Sequence, residues 1–276
     1  MPRGRVLPDQ LVAHARRFMA SGAAPVDPRH AATVILLRDA PGGLEAYLLR
    51  RAGSMAFAGG MYAYPGGGVD VRDSESETAW AGPSATEWAA RLGCDARFAR
   101  ALVCAAVRET FEESGVLLAG PSADAVVADV SDAEWERERV ALEARGSSLS
   151  ELLRRQRLVL RSDLLRPWAR WVTPEPEPRR YDARFFVAAL PGGQATRDVG
   201  GEADRVVWLR PADALRGVER GAMQMLPPTS ATLGEIAAYD TVADVLAAAN
   251  ARQLAPITPR IVLDESGGRL LLPGEL

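Results

Sequence analysis

Apolar residues recur at helical spacing through residues 8–21, where Leu11, Val12, Ala15, Phe18 and Met19 repeat until Gly22, and Pro25 and Pro28 then open a linker. From Ala31 the pattern changes to short continuous runs. Residues 33–37, the Pro41-Gly-Gly43 turn and residues 44–49 predict a hairpin of two buried strands. Residues 53–70 are rich in glycine. Residues 71–95 are polar, with a capping box, Ser84-Ala-Thr-Glu87, that starts a short helix ending near Gly93. A longer helix is expected from about Asp95 to Ser114, stopped by Gly115 and followed by the strand-like Val116, Leu117 and Leu118.

Farther along, residues 131–166 read as helical, with capping boxes at Ser131-Asp-Ala-Glu134 and Ser148-Leu-Ser-Glu151. The mixed-charge run 134–139 inside this stretch reads as a solvated helix face. Pro174, Pro176 and Pro178 make a stiff connector. Residues 183–190 and 205–209 predict buried strands, Pro211 opens a helix, further helices fall near 229–239 and 241–252, and residues 260–263 with 269–272 predict a closing hairpin. Strands interleaved with helices give an α/β (α+β) class rather than a bundle or a sandwich. The expected organisation is an N-terminal helix and linker over 1–30, a main domain over 31–252 with insertions at 74–100 and 121–180, and a hairpin-like extension over 253–276.

Composition narrows the chemistry. All 33 basic side chains among the 276 residues are arginine, so Schiff-base catalysis, lysine general bases and a phosphate-loop lysine are excluded. The two histidines, His14 and His30, precede the first strand-like run, which argues against a histidine metal site or a Ser-His-Asp triad. Cys94 and Cys104 offer no disulfide framework and read as small hydrophobes in a reducing compartment. A net charge of −3 argues against a nucleic-acid-coating surface and for a small-molecule partner. No apolar run of membrane-spanning length and no cleavable leader are evident, so a cytoplasmic protein without a membrane contact is expected.

Hydrolytic chemistry would then rest on carboxylates, and one run concentrates them: Arg108-Glu-Thr-Phe-Glu-Glu-Ser-Gly115. On a helix, Arg108, Glu109, Glu112 and Glu113 fall on one side, while Val103, Ala106, Val107, Thr110 and Phe111 fall on the other. Three like charges near a helix C-terminus repel one another and oppose the helix dipole. A hard divalent cation, Mg²⁺ or Mn²⁺, would relieve both through oxygen ligands, with Arg108 orienting one glutamate. Taken alone, three glutamates are equally the mark of a solvated acidic helix end.

The segment resembles the second half of the Nudix box, Arg-Glu-U-x-Glu-Glu-x-Gly-U with U apolar, and Thr110 stands where a larger apolar residue is usual. Pro65-Gly66-Gly67-Gly68-Val69-Asp70 resembles the glycine loop that enters the box, with Asp73 where the family usually has glutamate. The usual seven-residue spacer is replaced by residues 74–107, a change of modest closure cost. Further likeness at Leu48-Leu-Arg-Arg51, Met55-Ala-Phe57, Gly60-Met-Tyr-Ala-Tyr-Pro-Gly-Gly67, Trp168-Ala-Arg-Trp-Val-Thr-Pro174, residues 179–186 and Leu226-Pro-Pro-Thr229 is similar to the Nudix branch that includes the peroxisomal coenzyme A diphosphatase. The Leu-Arg-x-His segment of other coenzyme A-cleaving relatives has no counterpart, nor does a peroxisomal C-terminal tripeptide.

The resemblance implies a Nudix fold, a mixed β-sheet between helices, and a Mg²⁺- or Mn²⁺-dependent hydrolase that splits a diphosphate without a covalent nucleophile. It implies Gly66, through its carbonyl, and Glu109, Glu112 and Glu113 as metal ligands, with Arg108 beside them and Glu202 as a second catalytic carboxylate. Arg50, Arg51, Arg179 and Arg180 are the best-placed cations for substrate phosphates. Tyr62, Tyr64 and Trp171 could stack on an adenine, although core packing explains each as well. Coenzyme A or an acyl-coenzyme A is the leading substrate. ADP-ribose, a dinucleotide or a nucleotide sugar is the alternative, and a non-catalytic nucleotide sensor a third reading. The extra helices offer surface for a homodimer.

Overall fold

Alternation along the second strand sets the layers of the molecule. Ala32, Val34 and Leu36 enter one buried cluster and Ile35 and Leu37 another, as successive side chains on a strand point to opposite faces. The computed structural model describes residues 4–53, 58–74, 78–198, 200, 203–265 and 267–275. Strand β1 (Arg5–Val6) and helix α1 (Asp9–Ser21) lead into the hairpin β2 (Arg29–Ala40) and β3 (Gly43–Arg51), followed by β4 (Tyr62–Ala63) and β5 (Gly66–Gly68). After a 3-10 turn at Val71–Ser74 come β6 (Trp80–Ala81), α2 (Ala85–Leu92), α3 (Ala96–Ser114), β7 (Ala119–Gly120), α4 (Ala133–Glu143), α5 (Leu149–Arg155) and β8 (Val159–Arg161). The chain closes with β9 (Arg166–Val172), β10 (Tyr181–Ala189), β11 (Ala203–Leu209), α6 (Pro211–Glu219), α7 (Pro227–Ile236), α8 (Val242–Ala249), β12 (Pro256–Ile257), β13 (Arg260–Asp264) and β14 (Gly267–Leu271).

The main sheet runs β11-β3-β2-β10-β9-β12. It is mixed: β2 and β10 are parallel, from Tyr181 opposite Arg29 to Ala189 opposite Leu37, while β2 and β3, β10 and β9, and β11 and β3 are antiparallel. Helix α3 covers one face, where Trp88, Phe111 and Phe186 are fully buried, each worth about 1.5–3 kcal/mol of burial. Helices α6 to α8 cover the other through Ala214, Leu233, Ile236 and Val245. This is the mixed sheet between helices that the sequence led us to expect.

Strand β2 changes partner along its length. Its C-terminal half pairs with β3, and its N-terminal half pairs with the glycine strand β5, Thr33 opposite Gly66 and Ala31 opposite Gly68. Made of three glycines, β5 lies beside the central strand with no side chains of its own. The Ser84 capping box is formed as expected, Glu87 N–H donating to Ser84 Oγ and Ser84 N–H to Glu87 Oε2.

Three local expectations are corrected. Helix α4 is capped by Asp132, not Ser131, its carboxylate accepting from the N–H groups of Glu134 and Trp135 at 2.8 and 3.0 Å. The helical pattern of 131–166 ends at Arg155, since Arg157 takes a left-handed φ of 54° that stops a helix, and residues 159–161 pair with β6 and β7 instead. Residues 116–118 are fully buried as predicted but belong to no strand. Gln194 replaces the missing neighbour: its Oε1 accepts from Leu117 N–H, and its Nε2 donates to the carbonyls of Leu117 and Val127. Finally, the predicted closing hairpin β13–β14 forms, and β1 adds to it as a third antiparallel strand.

Candidate active site

Helix α3 is buried along one side through Leu102, Val103, Ala106, Val107, Thr110 and Phe111. The opposite side carries Arg108, Glu109, Glu112 and Glu113, and the helix lies directly against β5. The close approach depends on glycine. A Cβ on Gly67 would sit 2.4 Å from Glu109 Oε1, so the bare backbone there is what lets the carboxylate lie over the strand. Replacing Gly67 by alanine is expected to leave the fold intact, because the colliding atoms end a flexible side chain. Displacing Glu109 should lower kcat by about 10²-fold, which steady-state kinetics beside a thermal melt would show.

Arg108 is the hub. Its Nε and Nη2 donate to the two oxygens of Asp73, both at 2.9 Å, Nη1 donates to Glu109 at 2.7 Å and to Glu112 at 3.2 Å, and Nη2 also reaches the Gly68 carbonyl at 2.9 Å. Asp73, only 4% exposed, therefore has a defined place in the structure: it grips Arg108 by a two-point contact and accepts Asp70 N–H at 2.8 Å. The long insertion starts after this contact and leaves it whole. Glu113 is turned to the glycine strand, accepting Gly66 N–H at 2.7 Å.

Three acids, Asp73, Glu109 and Glu112, share the Arg108 guanidinium. Burial lifts the Glu109 carboxyl to about 7 against the pull of Arg108, and burial also raises Glu112. Burial lowers the affinity of Arg108 for its proton, but Asp73, Glu109 and Glu112 outweigh it and push its pKa up. As these side chains stand, no three acids among the described residues converge as a cation cage, because Arg108 and Gly66 N–H hold them apart. Their chemistry nevertheless fits a hard divalent ion: carboxylate oxygens, largely buried, gathered on one helix face at the cleft.

The C-terminal end of α3 is braced by two arginines that the sequence reading did not single out. Arg139, read as part of a solvated face, is buried, and its Nη1 donates to the Glu112 carbonyl at 2.9 Å while Glu136 and Glu143 neutralise it. Those acids stand three residues before and four after Arg139, the pattern that could have marked it. Arg197 donates its N–H to the Ser114 carbonyl at 2.9 Å, and its Nε would lie 2.7 Å from a Cβ on Gly115, whose φ of 72° ends the helix. Cations at this end oppose the partial negative charge of the helix terminus.

Glu109, Glu112, Glu113 and Arg108 open into a cleft of about 840 Å³, in the range of small-molecule sites. Gly66, Gly67 and Gly68 line it, as do Arg5, Arg51, Arg72 and Arg145. Arg51 thus reaches the cleft, whereas its neighbour Arg50 pairs with Asp204 at 2.6 Å and is not among the lining residues. Arg179 is exposed outside the cleft, and Arg180 is nearly buried, donating to the carbonyls of Thr173 and Val26. Glu202 lies outside the described residues. Tyr62, Tyr64 and Trp171 line the cleft but are at most 6% exposed, and Tyr64 OH is engaged with Thr229 and Thr232. His14 bonds the Pro176 carbonyl and His30 stands 3.7 Å from Asp182. Neither is among the lining residues.

Residues 95–236 match the family model described as the NUDT19 Nudix domain. An acyl-coenzyme A diphosphatase NUDT19 from Xenopus laevis is 24% identical over 219 residues, covering 67% of this chain and 57% of its own length. The protein of that name from Gallus gallus is 24% identical over 269 residues, covering 79% of this chain and 70% of its own. The chain thus spans little more than half the length of the Xenopus relative. The crystal structure of a NUDIX hydrolase from Alicyclobacillus acidocaldarius superposes with a TM-score of 0.69 at 28% identity, over 84% of this chain and 99% of that one. A family match over half of the chain, a sheet that admits a glycine strand beside its centre, and a glutamate helix laid over that strand agree: the chain belongs to the Nudix hydrolase family, in the group of the NUDT19 Nudix domain.

Proposed function

We propose that the protein hydrolyses the diphosphate of coenzyme A or an acyl-coenzyme A, releasing 3′,5′-ADP and a 4′-phosphopantetheine product. The observation that carries this reading is the carboxylate cluster around Arg108, opening into a cleft that also presents Arg51, Arg145 and a broad apolar lining. The names of the Xenopus and Gallus relatives support the choice of substrate. Cys94 and Cys104 are not joined by a disulfide, which suits a reducing compartment, and we place the protein in the cytoplasm. Among the described residues no helix is long and apolar enough to cross a membrane.

Hydrolases of this family generally use divalent metals. Mg²⁺ or Mn²⁺ held by Glu109, Glu112, Glu113 and the Gly66 carbonyl would polarise the phosphoryl oxygens and acidify a water. The chain's own groups supply the rest. A carboxylate must take the water's proton, and Glu109, held at 2.7 Å by Arg108 on the wall of the cleft, is one candidate. Arg108 holds Glu109 and Glu112 in place, and the Asp73 contact fixes Arg108 in turn. Arg51 and Arg145 meet phosphate oxygens at the cleft wall. Glu202 is the other candidate base. A Glu202→Gln variant that keeps its rate leaves the base among the box glutamates, and one that loses it while Mn²⁺ still raises its melting temperature assigns the proton to Glu202.

The raised Glu109 pKa makes a thermal prediction. The unfolded chain releases this proton near 4.5 and the folded chain near 7, so without a divalent ion stability is lost as pH rises through that window, on the order of 1–3 kcal/mol. Mn²⁺ should therefore raise the melting temperature more at pH 8 than at pH 5. An equal shift at both would contradict the assignment.

The function is tested by mass spectrometry of products formed from coenzyme A, acetyl-coenzyme A, ADP-ribose, NADH and diadenosine polyphosphates with Mg²⁺ and Mn²⁺. Preferential turnover of the coenzyme A compounds is expected. Preference for ADP-ribose or a dinucleotide would replace the substrate, and no turnover at all would favour a sensor.

A further inference from the structure

The two ends of the chain meet at the cleft, and both lie outside the region matched by the family. Arg5 of β1 stands opposite Leu270 of β14, and Leu270 stands opposite Ile261 of β13. Residues directly opposite on neighbouring strands share a face, so these three form one row across the ribbon, and all three line the cleft. The N-terminal segment is seated closely on β14: a Cβ on Gly4 would come within 2.6 Å of the Leu270 carbonyl oxygen. Arg5 ties the ribbon to the body of the protein by donating to the Met225 carbonyl at 3.1 Å.

We propose that this terminal ribbon is the subsite for the apolar arm of the substrate, the acylated pantetheine chain lying along Ile261 and Leu270 while the diphosphate sits at the carboxylates. The proposal rests on the coenzyme A reading above. Two observations favour this occupant. First, the described lining residues that the terminal segments supply are Val6, Leu7, Pro8, Leu11, Pro259, Ile261 and Leu270, with Arg5 the one charged member, whereas the box residues of the same cleft are charged. One continuous cleft thus carries ionic chemistry on one wall and aliphatic surface on another, the division an acyl-coenzyme A molecule itself shows. Second, Leu11 is left 37% exposed, a large apolar side chain at the cleft that a bound chain would cover. Trp171, Phe185 and Met225 extend the apolar wall beyond the ribbon.

Burying one methylene improves transition-state binding about fourfold, so chain length should be read by the ribbon. The test is kcat/KM for coenzyme A and its acetyl, butanoyl and octanoyl thioesters, with ADP-ribose alongside, on the wild-type chain and on Ile261→Asp, each checked by thermal melt. In the wild type the octanoyl to free coenzyme A ratio should exceed about tenfold, and in Ile261→Asp it should fall towards one. A wild-type ratio near one, or a ratio that the substitution leaves unchanged, overturns the proposal while the coenzyme A reading stands. Turnover of ADP-ribose with none of any coenzyme A compound overturns that reading and the subsite with it. If Ile261→Asp does not fold, Ile261→Ala and Leu270→Ala are read by the same ratio.

Discussion

Replacing Glu112 and Glu113 together by glutamine is expected to lower diphosphate hydrolysis by about 10³-fold or more and to make the cation-free protein more stable, not less. Both side chains stand on the cleft-facing side of α3, while Thr110 and Phe111, buried on the other side of the helix, are untouched. Glutamine keeps an oxygen to accept from Arg108 and from Gly66 N–H, so the present contacts survive. What disappears is charge. Burial holds the Glu112 carboxyl above its usual range, and a neutral amide avoids that cost. The melting temperature without divalent ion should rise, and the stabilisation given by Mn²⁺ should vanish. A merely structural role for these residues predicts the reverse sign.

Arg108→Met should have the largest effect on stability. Asp73 is 4% exposed and bonded to Arg108 through both oxygens, and Glu109 and Glu112 lean on the same guanidinium. Removing one partner of a buried pair leaves the others uncompensated, at about 3–5 kcal/mol, or roughly 10 °C in melting temperature for a chain of this size. Lysine should recover little of this. A single ammonium cannot present a fork to both Asp73 oxygens and still reach the Gly68 carbonyl. A calorimetric melt within about 2 °C of the wild type would refute the hub role of Arg108.

The contrast between what the sequence disclosed and what it hid follows the range of the interactions. Helix α3, its Gly115 stop, the β2–β3 hairpin and the Ser84 box were legible because each is specified within a few residues. Gln194 standing in for a strand beside Leu117 was not, since the contact spans 77 residues and glutamine carries no local signal for it. Arg139 looked solvated because a mixed-charge helix is normally exposed. Burial became acceptable only because Glu136 and Glu143 travel with it to the end of α3. Cleft arginines were hard to choose for a simpler reason. Arg50 and Arg51 are neighbours on one strand and so point to opposite faces, one to Asp204 and one to the cleft. Arg5 and Arg145 come from distant segments, brought in by the terminal ribbon and the helical insertion.

Cleavage of a diphosphate by the Arg108–Glu109–Glu112–Glu113 cluster with a divalent ion can be followed by mass spectrometry of coenzyme A incubated with Mg²⁺ and either the wild-type chain or the Glu112→Gln, Glu113→Gln double variant, with folding of both confirmed by melting. The wild type should give 3′,5′-ADP and 4′-phosphopantetheine, the variant should lose about 10³-fold in rate, and no products should form when the ion is chelated. Equal rates from the two proteins, or rates indifferent to chelation, would contradict that role for the cluster.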